Sequence, residues 1–82
     1  MDAVEKFIAD NLPTLMSIAK VKARTAEIGG SWSLMEINSY HETPRNVEFS
    51  LIIINEAEKC LLIRGKISRE GAKISNIEVR DL

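Results

Sequence analysis

The spacing of apolar residues changes once along this chain, at Gly29-Gly30, and that change constrains the fold more than any other feature. Before the two glycines, apolar side chains recur every three or four residues, as in the buried stripe of a helix. After them the apolar period becomes two, which is typical of strands with one buried face. The pattern therefore predicts a helical segment followed by a sheet, an α+β arrangement.

The helical segment covers residues about 2–28 and contains one discordant residue, Pro13. Proline has no backbone N–H and kinks a helix when it lies in the interior. We therefore expect one of two arrangements. Either a single long helix is kinked at Pro13, or two helices run over about 2–10 and 12–28, with Asn11 capping the second.

The second half of the chain divides into strand-like runs over about 31–41, 47–55, 59–68 and 72–80. Short turn-forming segments separate them, so we expect a four-stranded antiparallel meander with the helix packed across one face. Residues 1–82 have the length of a single domain. This order of elements is similar to that of cystatin-like folds, which include inhibitors, dimeric binding modules and proteins with small-molecule pockets.

The register of the hairpins can be predicted because a slip of one residue turns every side chain to the other face. In the second hairpin, a three-residue loop at 56–58 places Ile53 opposite Leu61 and Glu48 opposite Lys66. The first and third hairpins are treated in the same way, with loops at 42–46 and 69–71. Their predicted pairs are Met35 with Ile53, Ile37 with Leu51, Ile63 with Ile77 and Leu61 with Val79.

The predicted register gives the sheet one apolar face, the expected core beneath the helix. Its members are Met35, Ile37, Val47, Phe49, Leu51, Ile53, Leu61, Ile63, Ile67, Ile77 and Val79. The second face is polar at one end, and at the other end it carries an apolar patch. The predicted patch residues are Trp32, Leu34, Ile52, Ile54, Cys60 and Leu62, with Glu36 beside them.

Such a patch predicts a partner interface, because water-facing sheet faces are normally polar. Trp32 is the expected anchor, since tryptophan is enriched among the residues that dominate binding energy. A charged and polar rim would set the orientation of the partner. We assign Tyr40, Glu48, Arg64 and Lys66 to that rim. The alternative is that turn regions or the first helical segment cover this end of the sheet.

Composition narrows the classes of function. The chain has 82 residues, a formal net charge of −1, one cysteine and one histidine. One cysteine excludes an internal disulfide and a multi-cysteine metal site, and one histidine excludes a His-rich metal cluster within the chain. We predict no metal and no cofactor. The balanced charge argues against a nucleic-acid or membrane-surface binder. A domain this small buries only roughly 60–65% of its unfolded surface, which makes association a common source of stability.

The N-terminus and the hydropathy profile bear on location. Met1 to Glu5 is acidic and interrupted by polar residues, unlike a signal peptide. Leu51 to Ile54, the longest apolar run, falls far short of the roughly 20 residues of a membrane span. A lone cysteine suits a reducing compartment. We therefore expect a cytoplasmic protein without a membrane segment.

Three short resemblances add little about function. The stretch Leu62–Ile67 resembles the second motif of Sm-like RNA-binding proteins, but the first motif of that family is absent from residues 31–55. The helix, Trp32, Pro44 and the paired strands are similar, with gaps, to small accessory proteins such as gas vesicle protein O. The cystatin-like resemblance lacks a readable inhibitory loop. We predict no nucleic-acid partner.

Residues able to support catalysis are few and separated. His41 is predicted at the rim of the core face and Cys60 on the second face at the far end of the sheet, so a nucleophile–base pair is not expected. We predict a non-enzymatic interaction module that forms a homodimer or serves as an accessory subunit. The alternative is a module that binds a small apolar ligand between helix and sheet. A third reading is an enzyme whose site forms at an oligomer interface with His41 or Tyr40.

Overall fold

The computed structural model describes residues 2–23 and 31–82. The helices are α1 (Ala3–Asp10) and α2 (Leu12–Ala23), and the strands are β1 (Trp32–Glu42), β2 (Asn46–Asn55), β3 (Cys60–Ser68) and β4 (Ile74–Asp81). The strands form an antiparallel sheet in the order β1-β2-β3-β4. The predicted α+β class and antiparallel meander are confirmed.

The N-terminal segment consists of two short helices, so the single long helix is not what the described residues contain. The break falls at Asn11, whose side-chain Nδ2 donates a hydrogen bond of 2.8 Å to the Phe7 carbonyl oxygen. The Asn11 carbonyl accepts from the Leu15 N–H at 3.0 Å. The side chain of Asn11 therefore satisfies the end of α1, and the prediction that it caps the start of α2 is wrong. The predicted extension of α2 to residue 28, and the stop at Gly29-Gly30, lie outside the described residues.

Ile8 and Leu15 of the two helices are fully buried against one face of the sheet. The core contains ten buried apolar side chains in the described residues. They are Ile8, Leu15, Val47, Phe49, Leu51, Ile53, Leu61, Ile63, Ile67 and Ile77. Ile37 and Val79 are partly buried against this cluster. Met35 is the one residue of the predicted core face that is not there, since it is 55% exposed.

The central hairpin has the predicted register. Ile53 is the partner of Leu61 and Glu48 is the partner of Lys66, with no irregularity between them. The loop residue Glu58 has φ 64°, the left-handed conformation expected in a tight turn. The Lys59 N–H donates to the Asn55 side chain at 2.9 Å, which closes the turn.

The predicted register of the third hairpin is wrong. Ile63 is the partner of Val79, not of Ile77, because the turn is longer than predicted and β4 contains a bulge. The turn is closed by a hydrogen bond of 2.7 Å from the Ser68 N–H to the Lys73 carbonyl. The bulge lies at Asn76 and Ile77. Asn76 has φ 55°, as the first residue of a bulge with left-handed geometry requires.

The bulged β4 places two residues opposite the single residue Gly65 of β3. A Cβ atom at Gly65 would overlap the Cδ1 atom of Ile77 and lie 3.0 Å from the Phe49 ring. The absence of a side chain at Gly65 thus lets Ile77 turn into the core.

The first hairpin combines one correct and one wrong prediction. Ile37 is the partner of Leu51, as expected, but Ile53 is paired with Leu34 and not with Met35. The register shifts between Leu34 and Glu36, and again between Ile37 and Ser39. At each shift β1 carries one extra residue that has no partner in β2. The residues on the two sides of that extra residue therefore alternate between the faces of the sheet in opposite phase.

The loop of this hairpin is also shorter than the predicted 42–46. Glu42 already pairs with Val47. The Thr43 N–H donates to the Asn46 carbonyl at 2.8 Å. The Thr43 hydroxyl bonds the backbone of Asn46 as well, and these contacts fix a tight turn around Pro44.

Candidate interaction surface on the outer face of the sheet

The sheet face opposite to α1 and α2, here called the outer face, is organised in rows of side chains that run across the strands. Residues that are paired across antiparallel strands share a face, so the rows follow directly from the pairing. The four rows are Ser33–Ile54–Cys60, Glu36–Ile52–Leu62–Arg80, Ser39–Ser50–Arg64–Glu78 and His41–Glu48–Lys66–Ser75. The first two rows are apolar in the centre, and the last two are polar throughout.

The apolar part of this face, here called the outer patch, consists of Met35, Ile52, Ile54, Cys60 and Leu62. Four of these side chains are partly buried although none of them packs against the core. Met35 is 55% exposed, and its Sδ atom lies 3.9 Å from Cys60 Sγ, so it extends across β2. The predicted outer-face positions of Ile52, Ile54, Cys60 and Leu62 are confirmed.

Trp32 and Leu34 do not belong to the outer patch, which corrects the sequence prediction. Both pack against the core cluster, on the same side as the helices. The cause is the shift between Leu34 and Glu36, which gives the earlier part of β1 the opposite phase. Trp32 therefore cannot be the anchor of an outer-face interface, and Met35 takes its place in the patch.

Because of the second shift in β1, Tyr40 and His41 each lie on the opposite face of the sheet from the one predicted. Tyr40 is the partner of the core residue Phe49, and its hydroxyl donates to Asp2 Oδ2 at 2.7 Å. His41 is the partner of Glu48 and lies on the outer face, not at the rim of the core face. Of the predicted rim, Glu48, Arg64 and Lys66 are on the outer face as expected, and Tyr40 is not. Glu36 lies beside Ile52.

The polar end of the outer face is an open depression of about 540 Å³. Charges of both signs line it, so it offers no strong net potential to a polyanion. Its charged and titratable residues are His41, Glu48, Arg64, Lys66, Glu78 and Arg80 on the outer face, together with Tyr40, whose strand partner Phe49 belongs to the core. The Arg80–Glu78 pair is separated by 3.8 Å and mostly exposed, which makes it a weak contact.

The fold does not bring together Cys60 and His41, the nucleophile and base considered in the sequence. Cys60 and His41 lie in the first and last rows, which strand geometry separates by about 20 Å. Among the described residues, no three His, Cys, Asp or Glu side chains are grouped so as to hold a metal ion.

A second depression, of about 530 Å³, lies between the turn of the first hairpin, at residues 44–46, and the turn of the third hairpin, at residues 68–70. The alternative prediction put a small-molecule pocket in the layer between helices and sheet. This second depression has no core residue in its lining, and the first has one, Phe49. The apolar side chains described in that layer form one cluster, with ten buried members and partly buried ones packed against them.

No protein-family model, curated protein or solved structure matches this chain. Within the described ranges, no helix combines the length and apolar character needed to cross a membrane.

The sequence did contain signals for the residues that we misplaced. In β1, Leu34 and Ile37 are both inward but three residues apart, and in β4 the same is true of Ile74 and Ile77. A strict period of two cannot put such pairs on one face, so an odd step between apolar residues indicates a bulge. That signal would have moved Met35 outward.

Proposed function

We propose that this chain is a non-enzymatic assembly module that forms a homodimer through the outer face of its sheet. The observation that carries the proposal is the outer patch, a group of apolar side chains on a face that the helices leave free. A contiguous patch of this kind is typical of interaction sites. The proposed occupant is a second copy of the chain.

The dimensions of the face support this occupant. Strand rise and spacing make it about 30 Å long and about 19 Å wide, or about 570 Å². Two copies would together bury about 1,100 Å², near the lower limit of specific protein interfaces. A smaller part of the face, such as the outer patch alone, would fall short of that limit.

The edges of the sheet support a contact through the face. The edge strand β1 is irregular at two positions and β4 at one, and bulges of this kind protect an edge against pairing with another strand. Stacking of two outer faces avoids these edges and buries the apolar side chains directly.

Two finer points belong to the same proposal. The helices precede the meander and pack on one face, which supports a cystatin-like arrangement with the other face left for association.

The free thiol of Cys60 in the outer patch suits a reducing compartment, so we place the protein in the cytoplasm.

The test is the mass of the protein in solution by light scattering, for the wild type and for Ile52→Lys/Ile54→Lys. We expect a dimer that becomes a monomer, because two charges per copy would be buried in the interface. Thr14→Lys/Ser17→Lys is the matched control, since it adds the same charge on exposed positions of α2. Met35→Lys is a second patch variant that replaces an exposed side chain and so preserves the fold. A wild-type monomer at all concentrations would overturn the proposal.

A further inference from the structure

The charges on the outer face are arranged so that the face is complementary to itself. The Glu36 row ends in a carboxylate on β1 and a guanidinium on β4, and the His41 row has Glu48 on β2 and Lys66 on β3. In each of these two rows, the negative and the positive side chain lie on strands that are equally far from the line between β2 and β3. A twofold axis along that line would exchange β1 with β4 and β2 with β3.

We infer that the two copies stack around a twofold axis that lies between the outer faces and runs parallel to the strands, between β2 and β3. This inference rests on the proposed homodimer and specifies its symmetry. Each row then lies over the same row of the second copy, in reverse strand order. Glu36 faces Arg80 of the second copy, and Glu48 faces Lys66 of the second copy.

The uncharged positions agree with the same axis. Ile52 lies over Leu62 of the second copy, and Ile54 lies over its Cys60, so apolar atoms cover apolar atoms. Ser50 lies over Arg64 of the second copy, where a hydroxyl accepts from a guanidinium. This stacking brings no like charges together in the four rows. Aligned sheets cross at about 30°, which long charged side chains at the ends of the rows accommodate.

The other in-plane twofold axis, perpendicular to the strands, gives a poorer interface. If this axis passes through the Glu36 row, Glu36 faces Glu36 of the second copy and Arg80 faces Arg80 of the second copy. Placed at the middle of the face, it covers Ile52 with Ser50 and Leu62 with Arg64. Like charges and apolar-to-polar contacts are both unfavourable in an interface, so the parallel axis is the one that the row pattern supports.

Charge reversal tests the axis, because Glu36 and Arg80 lie about 14 Å apart within one sheet, beyond the Debye length of about 8–10 Å. Any rescue between these two positions must therefore act between chains. The measurement is the dimer dissociation constant by analytical ultracentrifugation at low salt, for Glu36→Arg, Arg80→Glu and the double variant. Glu70→Arg is the control for net charge, since it lies in the exposed loop after β3.

We expect each single reversal to weaken the dimer by about tenfold or more and the double variant to restore most of the affinity. If the wild type dimerises but the single reversals have no effect, or the double variant does not recover, this axis is wrong and the proposed homodimer stands. If the wild type is monomeric throughout, the proposed function fails, and the axis with it.

Discussion

The hydroxyl of Tyr40 donates a hydrogen bond of 2.7 Å to Asp2 Oδ2, and so joins strand β1 to the N-terminal cap of helix α1. The other carboxylate oxygen of Asp2 accepts from the Glu5 backbone N–H at 2.8 Å. These contacts hold the pKa of Asp2 below its ordinary value of 3.8, with the Glu5 backbone hydrogen bond as the largest cause and Tyr40 next. The same bond raises the pKa of Tyr40.

The first prediction concerns Tyr40→Phe, which removes the hydroxyl and keeps the ring. We expect the pKa of Asp2 to rise but to stay below 3.8, since the larger contribution of Glu5 remains. A carboxylate with a lowered folded pKa stabilises the fold above its unfolded value and loses that contribution as the pH falls through the folded pKa. The melting temperature should therefore fall slightly at pH 7, and the difference should vanish well below pH 3.8.

The measurements are an NMR titration of the Asp2 carboxyl group and thermal melts at neutral and acidic pH. Ser39→Ala is the control, because Ser39 neighbours Tyr40 in β1 but pairs on the outer face. An unchanged Asp2 pKa in Tyr40→Phe would show that the bond is not formed in solution.

The second prediction concerns the contact between Gly65 and the bulge. Gly65→Ala places a methyl group against Ile77 Cδ1 and the Phe49 ring, and we expect it to lower the free energy of unfolding by about 1–3 kcal/mol. Ile77→Val removes the Cδ1 atom and should cost about 0.5–1.5 kcal/mol alone. The double variant should cost less than the sum, because the overlapping atom is gone.

Urea denaturation of the two single variants and the double variant measures this non-additivity. Strict additivity, or a Gly65→Ala variant as stable as the wild type, would be inconsistent with the close packing of Ile77 on Gly65.

The accuracy of the sequence predictions varied with the regularity of each strand. In the β2–β3 hairpin the inward residues keep a step of two, from Val47 to Ile53 and from Leu61 to Ile67, so the register predicted from that step is confirmed. β1 and β4 contain odd steps between inward residues, and there the simple alternation failed. Trp32 was placed on the wrong face for this reason alone.

The membership of the candidate surface could therefore be predicted from the sequence for two of the four strands. Its β2 and β3 members follow from alternation, whereas Met35, His41, Glu78 and Arg80 depend on where bulges and turns fall. An odd apolar step indicates that a bulge exists. Which residue adopts the left-handed conformation depends on local packing, as at Asn76 opposite Gly65, and a pattern of apolar residues carries little information about it.

The third prediction concerns Asn76, which has φ 55° at the β4 bulge. Asparagine tolerates this conformation better than other non-glycine residues, and β-branched residues tolerate it poorly. We expect Asn76→Val to lower the free energy of unfolding by about 1–3 kcal/mol and Asn76→Gly to be neutral or stabilising. Ser75→Val is the matched control, since Ser75 is an exposed neighbour in β4 without a positive φ. Chemical denaturation compares the three, and equal effects of the two valine variants would argue against the bulge.

The fourth prediction concerns Arg69, which connects the turns of the first and third hairpins with helix α1. Its Nη2 atom lies 2.7 Å from Glu42 Oε1, and its guanidinium carbon lies 5.9 Å from the centroid of the Phe7 ring. The Arg69 N–H donates to the Arg45 carbonyl at 2.9 Å, which fixes the backbone beneath the side chain. Lysine keeps the charge but loses the planar group that contacts both partners.

We expect Arg69→Lys to lower the free energy of unfolding by about 0.5–1 kcal/mol, a small value because the Arg69 side chain is 38% exposed. Arg45→Lys, in the adjacent turn, is the control and should have almost no effect. Double-mutant cycles with Glu42→Gln and with Phe7→Leu separate the two contacts. Salt should weaken the coupling to Glu42, because exposed ion pairs are screened, and should leave the coupling to the Phe7 ring largely intact. Equal salt sensitivity in both cycles would mean that Arg69 acts through its charge alone.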